Sequence, residues 1–585
     1  AIGFNVTPVG GVSDLQVTNE GNPNYDWNPV VVIRTGRFEG GWTVEAAIPF
    51  KAIRYRTDAE QVWGAQFRRL LAYKNEWSHL TFLPLAVTRT GPYGILRVSS
   101  YASLIGIEVL PASRNLQVKP YAISELETDL VAVPQRSNDL EATGGLDVKY
   151  GITENLTADL TYNTDFAQVE ADEQQVNLTR FSVFFPEKRE FFLEGRGIFD
   201  FAPWPAGFGR ASPLAPTLFY SRRIGLQGNR PVPILGGGRV TGKVGSFDVG
   251  ILDIQTADEE IAGAESTNFS VVRIRRDVLA RSSVGVLLAN RSKATTGLGS
   301  NQTFGLDGTF SFTQDLALVA WFAESNTRGL DGLDRSYEAR LSHAGDVWGG
   351  QVGHMLVGDD FNPEVGFVRR KGFRQTVLQG RFSPRPDVAR IRQLTFQGDA
   401  SYVENERSGV LESRDVSGLV LAALESGDEL TVTWTKSYEF LASSALISRA
   451  TIPVGRYSFD DVQVSYLFGP QRAATGLLSV RRGGFYGGAA TSIDLTESRI
   501  DLVSRLTVEP SLSLNWVDLP ALQSRSGEFD QHVTRLRLTY SVTPRMFVST
   551  LAQYNSGTES FAANVRLRWE WSPGSELFVV YGEER

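Results

Sequence analysis

The stretch NQTFGLDGTFSF, at residues 301–312, alternates between apolar and polar side chains. One side of an extended strand would carry Phe304, Leu306, Phe310 and Phe312. The other side would carry Asn301, Thr303, Asp307, Thr309 and Ser311. A period of two predicts a β-strand with one apolar and one polar face.

Similar alternating segments follow one another almost to the end of the chain, and together they predict a transmembrane β-barrel. A tilted strand needs about 9–11 residues to cross a bilayer, and barrel sequences consist of such segments separated by turns. The chain has 585 residues, is 21% charged and has a mean hydropathy of −0.15. We find no run of 18 apolar residues, so the sequence offers no transmembrane helix.

The expected number of strands follows from the length of the barrel region. About 470 residues follow residue 112, and about 20 residues per strand and turn give 24 or 26 strands, within a range of 20–26. We therefore predict an all-β fold, a large transmembrane antiparallel β-barrel of about 24–26 strands preceded by a small β-sandwich. An even number would place both ends of the barrel on one side, expected to be the periplasm.

The first 112 residues differ from the remainder, and we assign them to the β-sandwich. Its strand candidates are residues 40–55, 62–73, 77–84 and 91–98. Because residues 1–38 contain loop-like stretches, we expect part of this domain to lie upstream of residue 1. Residues 113–585 are assigned to the barrel.

Composition excludes several kinds of site and partner. The chain has no cysteine, which excludes disulfides, thiolate metal sites and a cysteine nucleophile. Its net charge is −8 and no basic stripe stands out, so we expect no nucleic-acid partner. The strand VRLRWEW at 565–571 sets Arg566, Arg568 and Glu570 on one face. Such a face suits a lumen wetted by water and polar solutes.

The alternation stops between residues 164 and 216, after the third predicted barrel strand, and resumes at a predicted strand over 218–224. Acidic, aromatic and mixed-charge clusters fill this gap. Its charged candidates for ligand binding or for lining the lumen are Asp165, Glu170, Asp172, Glu173, Arg180, Glu187, Lys188, Arg189, Glu190 and Glu194. A connection this long and this rich in Phe is unlike a mobile surface loop.

Three interpretations of this segment stay open. We favour a loop that folds inward and narrows or plugs the lumen, ahead of a ligand or partner site. Paired carboxylates could also perform acid–base chemistry, although we assign no catalytic residue. We expect no cofactor and no metal ligands, with Ca²⁺ at the acidic cluster of residues 165–173 as the alternative, since its spacing does not match an EF-hand loop.

The segment DFAQVEADEQQVNLTRFSVFFPEKREFFLEG resembles the signature of a family of bacterial outer-membrane proteins without an assigned activity. In that family a domain similar to carbohydrate-binding module family 9 precedes a β-barrel. Thr164 and Ala167 stand where the family has Pro and Gly, and Glu190 stands where it has Pro. The stretch GGWTVEAAIPFKAIRY, at residues 40–55, resembles the family's N-terminal domain. The resemblance implies the architecture and a location in the bacterial outer membrane.

The resemblance to a carbohydrate-binding module also implies a sugar site in the N-terminal domain. Aromatic rings form platforms for sugars, and the loop NPNYDWNP offers Tyr25, Asp26 and Trp27 as carbohydrate-binding candidates. We expect Trp42, Trp63 and Trp77 to fill the core of the sandwich instead.

These observations favour a barrel without enzymatic activity that binds or admits a polar ligand, with a glycan as one option and residues 164–216 gating or plugging the lumen. One alternative is a structural component that anchors a complex of envelope proteins. Another is a hydrolase embedded in the barrel that uses carboxylates of residues 170–194. The expected partners are outer-membrane lipid, a glycan ligand and envelope proteins. The N-terminal domain would lie in the periplasm or inside the lumen.

Overall fold

The computed structural model of the chain describes most of its residues. The exceptions are residues 19, 21, 26, 28, 54, 56–60, 72–73, 75, 84–90, 110–114, 131–134, 165–171, 206–207, 209–210, 228–229, 280, 504 and 523–524.

The described N-terminal residues form nine short strands. In chain order they are β1 (Ile2–Val6), β2 (Val12–Thr18), β3 (Asn22–Asn24), β4 (Val32–Phe38), β5 (Gly41–Ala47), β6 (Gln61–Ala65), β7 (Arg68–Leu71), β8 (Glu76–His79) and β9 (Ala102–Ile107). They pair as β1-β2-β3, β4-β5, β6-β9 and β7-β8. Short 3₁₀ helices cover Phe50–Ala52, Gly91–Leu96 and Val98–Ser100.

One expectation for this region was wrong. Residues 91–96 and 98–100 are 3₁₀ turns and not a strand, because Pro92 lacks the N–H that a ladder needs and its fixed φ suits a turn. Residues 1–38, which contain loop-like stretches in sequence, include β1 to β4. That part of the domain lies upstream of residue 1 stays a prediction.

The remaining strands lie between residues 116 and 584. They are β10 (Leu116–Asp129), β11 (Arg136–Gly151), β12 (Leu156–Thr164), β13 (Leu226–Gln227), β14 (Arg230–Pro231), β15 (Ile234–Val244), β16 (Phe247–Thr256), β17 (Asn268–Val278), β18 (Ser282–Arg291), β19 (Asn301–Ser311), β20 (Leu316–Thr327), β21 (Arg335–Ala344), β22 (Trp348–Val357), β23 (Phe373–Phe382), β24 (Ile391–Asn405), β25 (Leu411–Leu424), β26 (Glu429–Leu441), β27 (Ala445–Ile447), β28 (Ala450–Ile452), β29 (Gly455–Phe468), β30 (Ala474–Phe485), β31 (Gly488–Val503), β32 (Leu506–Leu522), β33 (Arg525–Thr543), β34 (Met546–Asn555), β35 (Ser560–Ser572) and β36 (Ser575–Glu584).

Twenty-three of these strands form one antiparallel sheet in which neighbours along the chain are neighbours in space. Strands β13 and β14 form a separate hairpin, as do β27 and β28. One short helix, α1, covers Glu190–Leu193, and 3₁₀ turns cover Arg196–Ile198 and Ser221–Arg223. The predicted all-β fold class is confirmed.

Burial in this sheet is the reverse of burial in a soluble sandwich. On β19 the outward Phe304 and Leu306 are 37% and 44% exposed, whereas Asn301 and Thr303 are 0% and 3% exposed. The apolar face therefore points outward and the polar face inward, as predicted from the alternation. Such a sheet has its apolar side in contact with lipid, which makes it a transmembrane β-barrel.

The count of 23 lies just below the predicted 24–26 and within the range of 20–26. Because it is odd, β10 and β36 run in the same direction and the two ends of the sheet lie on opposite sides. Among the described residues, ladder bonds run from β10 to β36 and none joins these two strands. The connection after β12 extends to residue 233, so fewer residues are available for strands than the estimate assumed.

The two ends of the barrel differ in the length of their connections. One end has tight turns such as 245–246 and 544–545, and we call it the turn end. The other has long connections such as 358–372 and 442–454, and we call it the loop end. Val30 lies beside Gly574, in the turn between β35 and β36, so N-terminal residues contact the turn end.

The strand predicted over residues 218–224 does not exist in the sheet. Ser221–Arg223 is a 3₁₀ turn, and Thr217 makes an isolated bridge to Phe367. The stretch LFYSRRI sets Phe219 beside Tyr220 and Arg222 beside Arg223, so it has no clear period of two and is too short to separate a strand from an ordered loop. None of the described helices has the length and apolar character needed to cross a membrane.

Candidate functional site

The long connection between β12 and β15 is described from residue 172 onward, and we call residues 172–233 the inner connection. Its Glu190 lies 3.2 Å from the ammonium of Lys119 on β10. The N–H of Gln174 donates to Gln553 on β34, at 2.8 Å. One segment can reach the polar face of both strands only if the sheet curls around it.

An apolar core joins part of the inner connection to the wall formed by β15–β24. The connection contributes Phe192, Phe199, Leu218 and Ile224. The wall contributes Leu252, Ile254, Phe269, Val271, Leu287, Trp321, Met355 and Phe373. The loop of residues 358–372 adds Phe361 and Val365. Burial of this apolar surface holds the inner connection against this wall.

Buried charges hold α1 against the first strands of the barrel. Arg239 on β15 is 3% exposed and donates to the main-chain carbonyls of Phe191 and Glu194. It also binds Asp159 on β12, with 2.9 Å between Nη2 and Oδ2. Lys149 on β11 lies 2.5 Å from the carboxylate of Glu194. These groups satisfy one another, so they fix the position of α1.

Glu187 and Arg189 form an internal pair within the inner connection. Glu187 accepts from Arg189 Nε at 2.8 Å and from the hydroxyl of Ser221 at 2.6 Å. Arg189 also donates to the carbonyl of Ile224 at 2.6 Å. Burial opposes ionisation of Glu187, but these hydrogen bonds and the guanidinium charge hold its pKa below the usual range. The pair is therefore a buried salt bridge that also joins residues 187–189 to residues 221–224 through hydrogen bonds.

Residues 173–185 leave this packed body and return to it, and we call them the crossing loop. Arg222 lies where the crossing loop begins and ends, which we call the base of the loop. Its Nη1 donates to Asp172 at 3.0 Å and to the carbonyl of Pro186 at 3.2 Å. Lys188 lies 3.7 Å from the same Asp172. The two ends of the crossing loop are thus held next to each other.

The beginning of the crossing loop meets the wall formed by β33 and β34. The Glu173 carboxylate binds Arg535 and lies 2.9 Å from Nη2 of Arg537. Partial burial raises the pKa of Glu173, but the two guanidinium charges outweigh it and the net pKa lies below the usual range. The Glu173 side chain is 44% exposed, so water reaches this contact.

The middle of the crossing loop meets β26. Arg180 Nε lies 3.0 Å from Glu439, which also accepts a hydrogen bond from Tyr486. Phe181 lies between two guanidinium groups, 5.0 Å from Arg180 and 5.4 Å from Arg370. Burial, followed by the Glu439 carboxylate, raises the pKa of Tyr486. The crossing loop therefore spans from β34 to β26.

The wall that the crossing loop faces is polar. We call the inward faces of β25–β36 the polar wall. Its side chains include Thr431, Thr433, Thr435, Asp461, Gln463, Ser465, Arg481, Ser513, Asn515, Gln531 and Asn564. Its charges are largely paired, as for Asp461 and Arg481 at 2.6 Å. Hydroxyls, amides and paired charges can replace water around an uncharged polar or dipolar solute.

A second charged group lies beside the apolar core. Arg273 and Asp307 form a pair with side chains 0% and 2% exposed, and Nη2 lies 2.9 Å from Oδ2. The main-chain N–H of Ala202 also donates to Asp307, at 3.1 Å. Nearby Asp200 has its pKa raised to about 6 by burial, which the charges of Arg196 and Arg275 offset only in part.

The residues expected from the sequence fall into three groups. Asp172, Glu173, Arg180 and Lys188 lie in or beside the crossing loop. Glu187 pairs with Arg189, and Glu190 and Glu194 pair with Lys119 and Lys149. Asp165 and Glu170 lie outside the described residues, and a Ca²⁺ site over 165–173 stays a prediction. No cluster of three possible metal ligands occurs within the part of the chain that the structure describes.

The carbohydrate-binding candidates lie in the N-terminal strands. Tyr25 is 54% exposed, whereas Trp27 is 8% exposed and packs 6.0 Å from Phe4. Asp26 lies outside the described residues. A cavity of about 1820 Å³ separates these strands from the turn end, and its lining includes Trp27, Trp63, Lys149 and Glu194. Sugar binding here stays a prediction.

Three important residues of this region were missed in the sequence, namely Arg222, Arg239 and Asp200. Arg239 could have been noticed as a cation within a predicted strand at 238–244. Besides Asp159 on β12, its partners are the main-chain carbonyls of Phe191 and Glu194, which leave no trace in the sequence. Asp200 sits in a Pro- and Phe-rich stretch in which Arg196 is the nearest charge in sequence, and nothing local indicates that its carboxyl group is buried.

Comparison with known proteins gives one family match. A family model described as a domain of unknown function (DUF5916) matches residues 112–233, which is less than half of the chain. The matched range covers β10–β12 and the inner connection. No curated protein matches the chain in sequence.

Three solved structures are similar in part. OccK10 (OpdN) of Pseudomonas aeruginosa is 12% identical, with 61% of this chain and 93% of that chain covered and a TM-score of 0.28. OpdQ of Pseudomonas aeruginosa is also 12% identical, with 61% and 94% covered and a TM-score of 0.30. The copper transporter OprC is 9% identical, with 80% and 69% covered and a TM-score of 0.24. All three TM-scores are below 0.5, so the fold of this chain is inferred from its own strand order and burial.

Proposed function

We propose that this chain is an outer-membrane β-barrel that binds or admits a polar ligand along its polar wall, and that the crossing loop restricts that passage. The loop bridges β34 and β26 through Gln174 and Arg180. This bridge is the observation on which the proposal depends, because a chain that spans the wetted half of a barrel reduces its free cross-section.

The membrane location is supported by the inverted burial of the strands and by the asymmetry of the two barrel ends. Bacterial barrels have short periplasmic turns and longer extracellular loops. The turn end would then face the periplasm and the loop end the exterior. Asn24 donates to the carbonyl of Leu193 at 2.9 Å, and Val30 lies beside Gly574, which supports a periplasmic position for the N-terminal residues.

The side chains of the polar wall indicate which class of ligand it can bind. Threonine, serine, asparagine and glutamine side chains line it, and its charges are mostly paired. An apolar solute would form no hydrogen bonds with these side chains. The hydroxyl and amide groups of a polar solute would form hydrogen bonds with them. Most charges of the wall are opposed by a partner, which favours uncharged or dipolar solutes. Among the described residues, Asp415 and Asp494 have no ion pair, and each accepts a hydrogen bond from a serine.

The test shortens only the crossing loop. Because Asp172 and Pro186 share one nitrogen of Arg222, residues 174–184 can be replaced by Gly-Ser-Gly without stretching the base. The phenylalanines of the apolar core lie outside this range and remain. We expect higher single-channel conductance in planar bilayers than for the unmodified chain, with a folded barrel verified by heat-dependent mobility on a detergent gel.

A matched control replaces residues 386–389, in the connection between β23 and β24, with the same linker. The main-chain hydrogen bonds of these residues in the described structure are local, as from Val388 to Pro386 and from Ile391 to Val388, so conductance should stay at the unmodified value. Equal conductance of the shortened chain and the unmodified chain, both folded, would contradict the proposed restriction.

A glycan is one specific ligand within this proposal. The cavity beside the N-terminal strands has aromatic walls, with Trp63 near Phe50 at 6.0 Å, and polar groups from the barrel. Rings can stack on sugar faces while amides bind hydroxyls. Titration of the full chain with oligosaccharides, with and without Trp63→Ala, tests it, and absence of binding at millimolar sugar would remove glycan from the proposal.

The two other functions expected from the sequence have less support. Glu187 is held ionised by Arg189, whereas a general acid must carry a proton near neutral pH. Hydrolysis lost in Glu187→Gln would nevertheless establish an enzyme. An assembly role would be established by proteins that co-purify with the chain in mild detergent at fixed stoichiometry.

A further inference from the structure

The lipid-facing surface of β17–β20 contains a concave pocket of about 570 Å³. Its part toward the middle of the membrane is apolar and includes Val272, Leu288, Phe304 and Phe322. Its part toward the loop end is polar and includes Ser270, Asn290, Gln302 and Asn326. The pocket lies outside the barrel and is independent of the passage.

The polar residues form a single lateral row across four strands. Ser270 is paired with Asn290, Asn290 with Gln302, and Gln302 with Asn326. Gln302 lies two positions from the outward Phe304, so it shares the outward face. The row therefore points away from the lumen, and because barrel strands are tilted it slopes across the lipid-facing surface.

Gln302 marks the upper edge of the apolar belt on β19. Outward positions on β19 run from Phe304 through Leu306 to the turn at Phe312, and these side chains are 37%, 44% and 59% exposed. At about 3.3 Å per residue along a tilted strand, this stretch covers most of a belt about 25 Å tall. Gln302 thus stands where lipid headgroups begin on the loop side.

The amides of this row are not used within the protein. Ser270 donates to Asp253 at 2.6 Å, but the side chains of Asn290, Gln302 and Asn326 make no hydrogen bond to any described residue. The charged neighbours Glu324 and Arg335 pair with each other at 3.2 Å. Each amide offers donors and acceptors without a net charge, which complements hydroxyl groups better than phosphate.

We propose that this pocket binds one amphiphile with an alkyl chain and an uncharged polyhydroxylated headgroup, of the kind found in sugar-headed lipids of the outer leaflet. The alkyl chain would lie along Leu288, Phe304 and Phe322. The headgroup hydroxyls would bond to the amides of Asn290, Gln302 and Asn326.

The test compares two detergents with the same alkyl chain, n-dodecyl-β-maltoside and dodecylphosphocholine. Native mass spectrometry of the purified full chain counts the bound molecules. We expect one retained maltoside and no retained phosphocholine. Loss of two amide–hydroxyl bonds in the variant Asn290→Leu/Gln302→Leu should weaken maltoside retention about tenfold. Both changes put an apolar group on a lipid-facing surface, so the barrel should still fold.

The matched control is Thr491→Val/Thr534→Val. These outward residues lie on β31 and β33, beside the exposed Trp516 and Tyr554, away from the pocket. Its maltoside retention should equal that of the unmodified chain. Equal loss in the variant and the control would overturn the proposal, because it would indicate general binding to the apolar belt. Equal retention of both detergents would overturn the assignment of the headgroup.

Discussion

Glu173 of the crossing loop and Arg537 of β33 lie 2.9 Å apart, and this contact ties the inner connection to the polar wall. Arg535 binds the same carboxylate. The pair is separated by more than 360 residues in the chain, so it joins two parts of the barrel that no local pattern relates.

Glu173→Gln should loosen the crossing loop without unfolding the barrel. The contact is partly exposed, so we expect a loss of at most about 1 kcal/mol in stability. Conductance should rise or fluctuate more, because the loop loses its ionic attachment. Bilayer recordings measure this, and Asp461→Asn, which breaks the pair with Arg481 on the same wall and leaves Arg535 and Arg537 unchanged, serves as a control for a changed charge alone. Identical recordings for Glu173→Gln and the unmodified chain would contradict the role of the contact.

Acidification should have the same effect as Glu173→Gln. The folded-state pKa of Glu173 is lowered, so its stabilising contribution is present above the usual carboxyl pKa of 4.5 and is lost as the pH falls through the lower folded value. We expect conductance of the unmodified chain to change below about pH 4.5. Glu173→Gln should lack that change, which recordings from pH 7 to pH 3 will show.

Asp200 should make the barrel less stable as the pH rises. Burial raises its pKa from 3.8 to about 6, so the folded state favours the protonated form. Its contribution is complete below pH 3.8 and is lost as the pH rises through about 6. Relative to Asp200→Asn, the unmodified chain should lose heat resistance between pH 4 and pH 7. Parallel heat-resistance curves for the two proteins would disprove this assignment.

Replacing only one residue of the ion pair Arg273–Asp307 should lower the stability of the barrel. Arg273→Met leaves a buried carboxylate without its cation, which typically costs about 3–5 kcal/mol. The double variant Arg273→Met/Asp307→Leu should recover most of this loss, because no buried charge remains. Denaturant unfolding in detergent micelles measures both variants. A double variant as unstable as the single one would argue against the ionic explanation.

The hairpin β27–β28 should act as a cover at the loop end. Ile447 and Ile452 are 0% and 1% exposed, and Arg449 donates to the carbonyls of Ser556 and Gly557 at 2.6 Å each. It thereby reaches from β26 to the connection after β34. Arg449→Ala should increase protease cleavage within 442–454 several-fold. Arg456→Ala, on β29, is the control, and equal cleavage of the two variants would count against a cover held by Arg449.

The sequence was a reliable guide wherever neighbouring residues decide the outcome. Alternation of Phe304 and Leu306 with Asn301 and Thr303 correctly predicted which face meets lipid, because successive side chains of a strand point to opposite faces. Local pattern failed at residues 218–224. The short stretch LFYSRRI indicated a strand there, but contacts with the loop of residues 358–372 hold a 3₁₀ turn.

The sequence by itself determined that this chain builds an all-β membrane barrel, and where its strand pattern stops. That information lies in a period of two, which repeats over most of the chain. Only the tertiary structure decided that Glu173 meets Arg535 and Arg537, that Arg239 holds α1, and that the crossing loop spans the polar half of the barrel. Many strands carry similar inward charges, so the choice among them depends on how a connection of about 70 residues folds within the curled sheet.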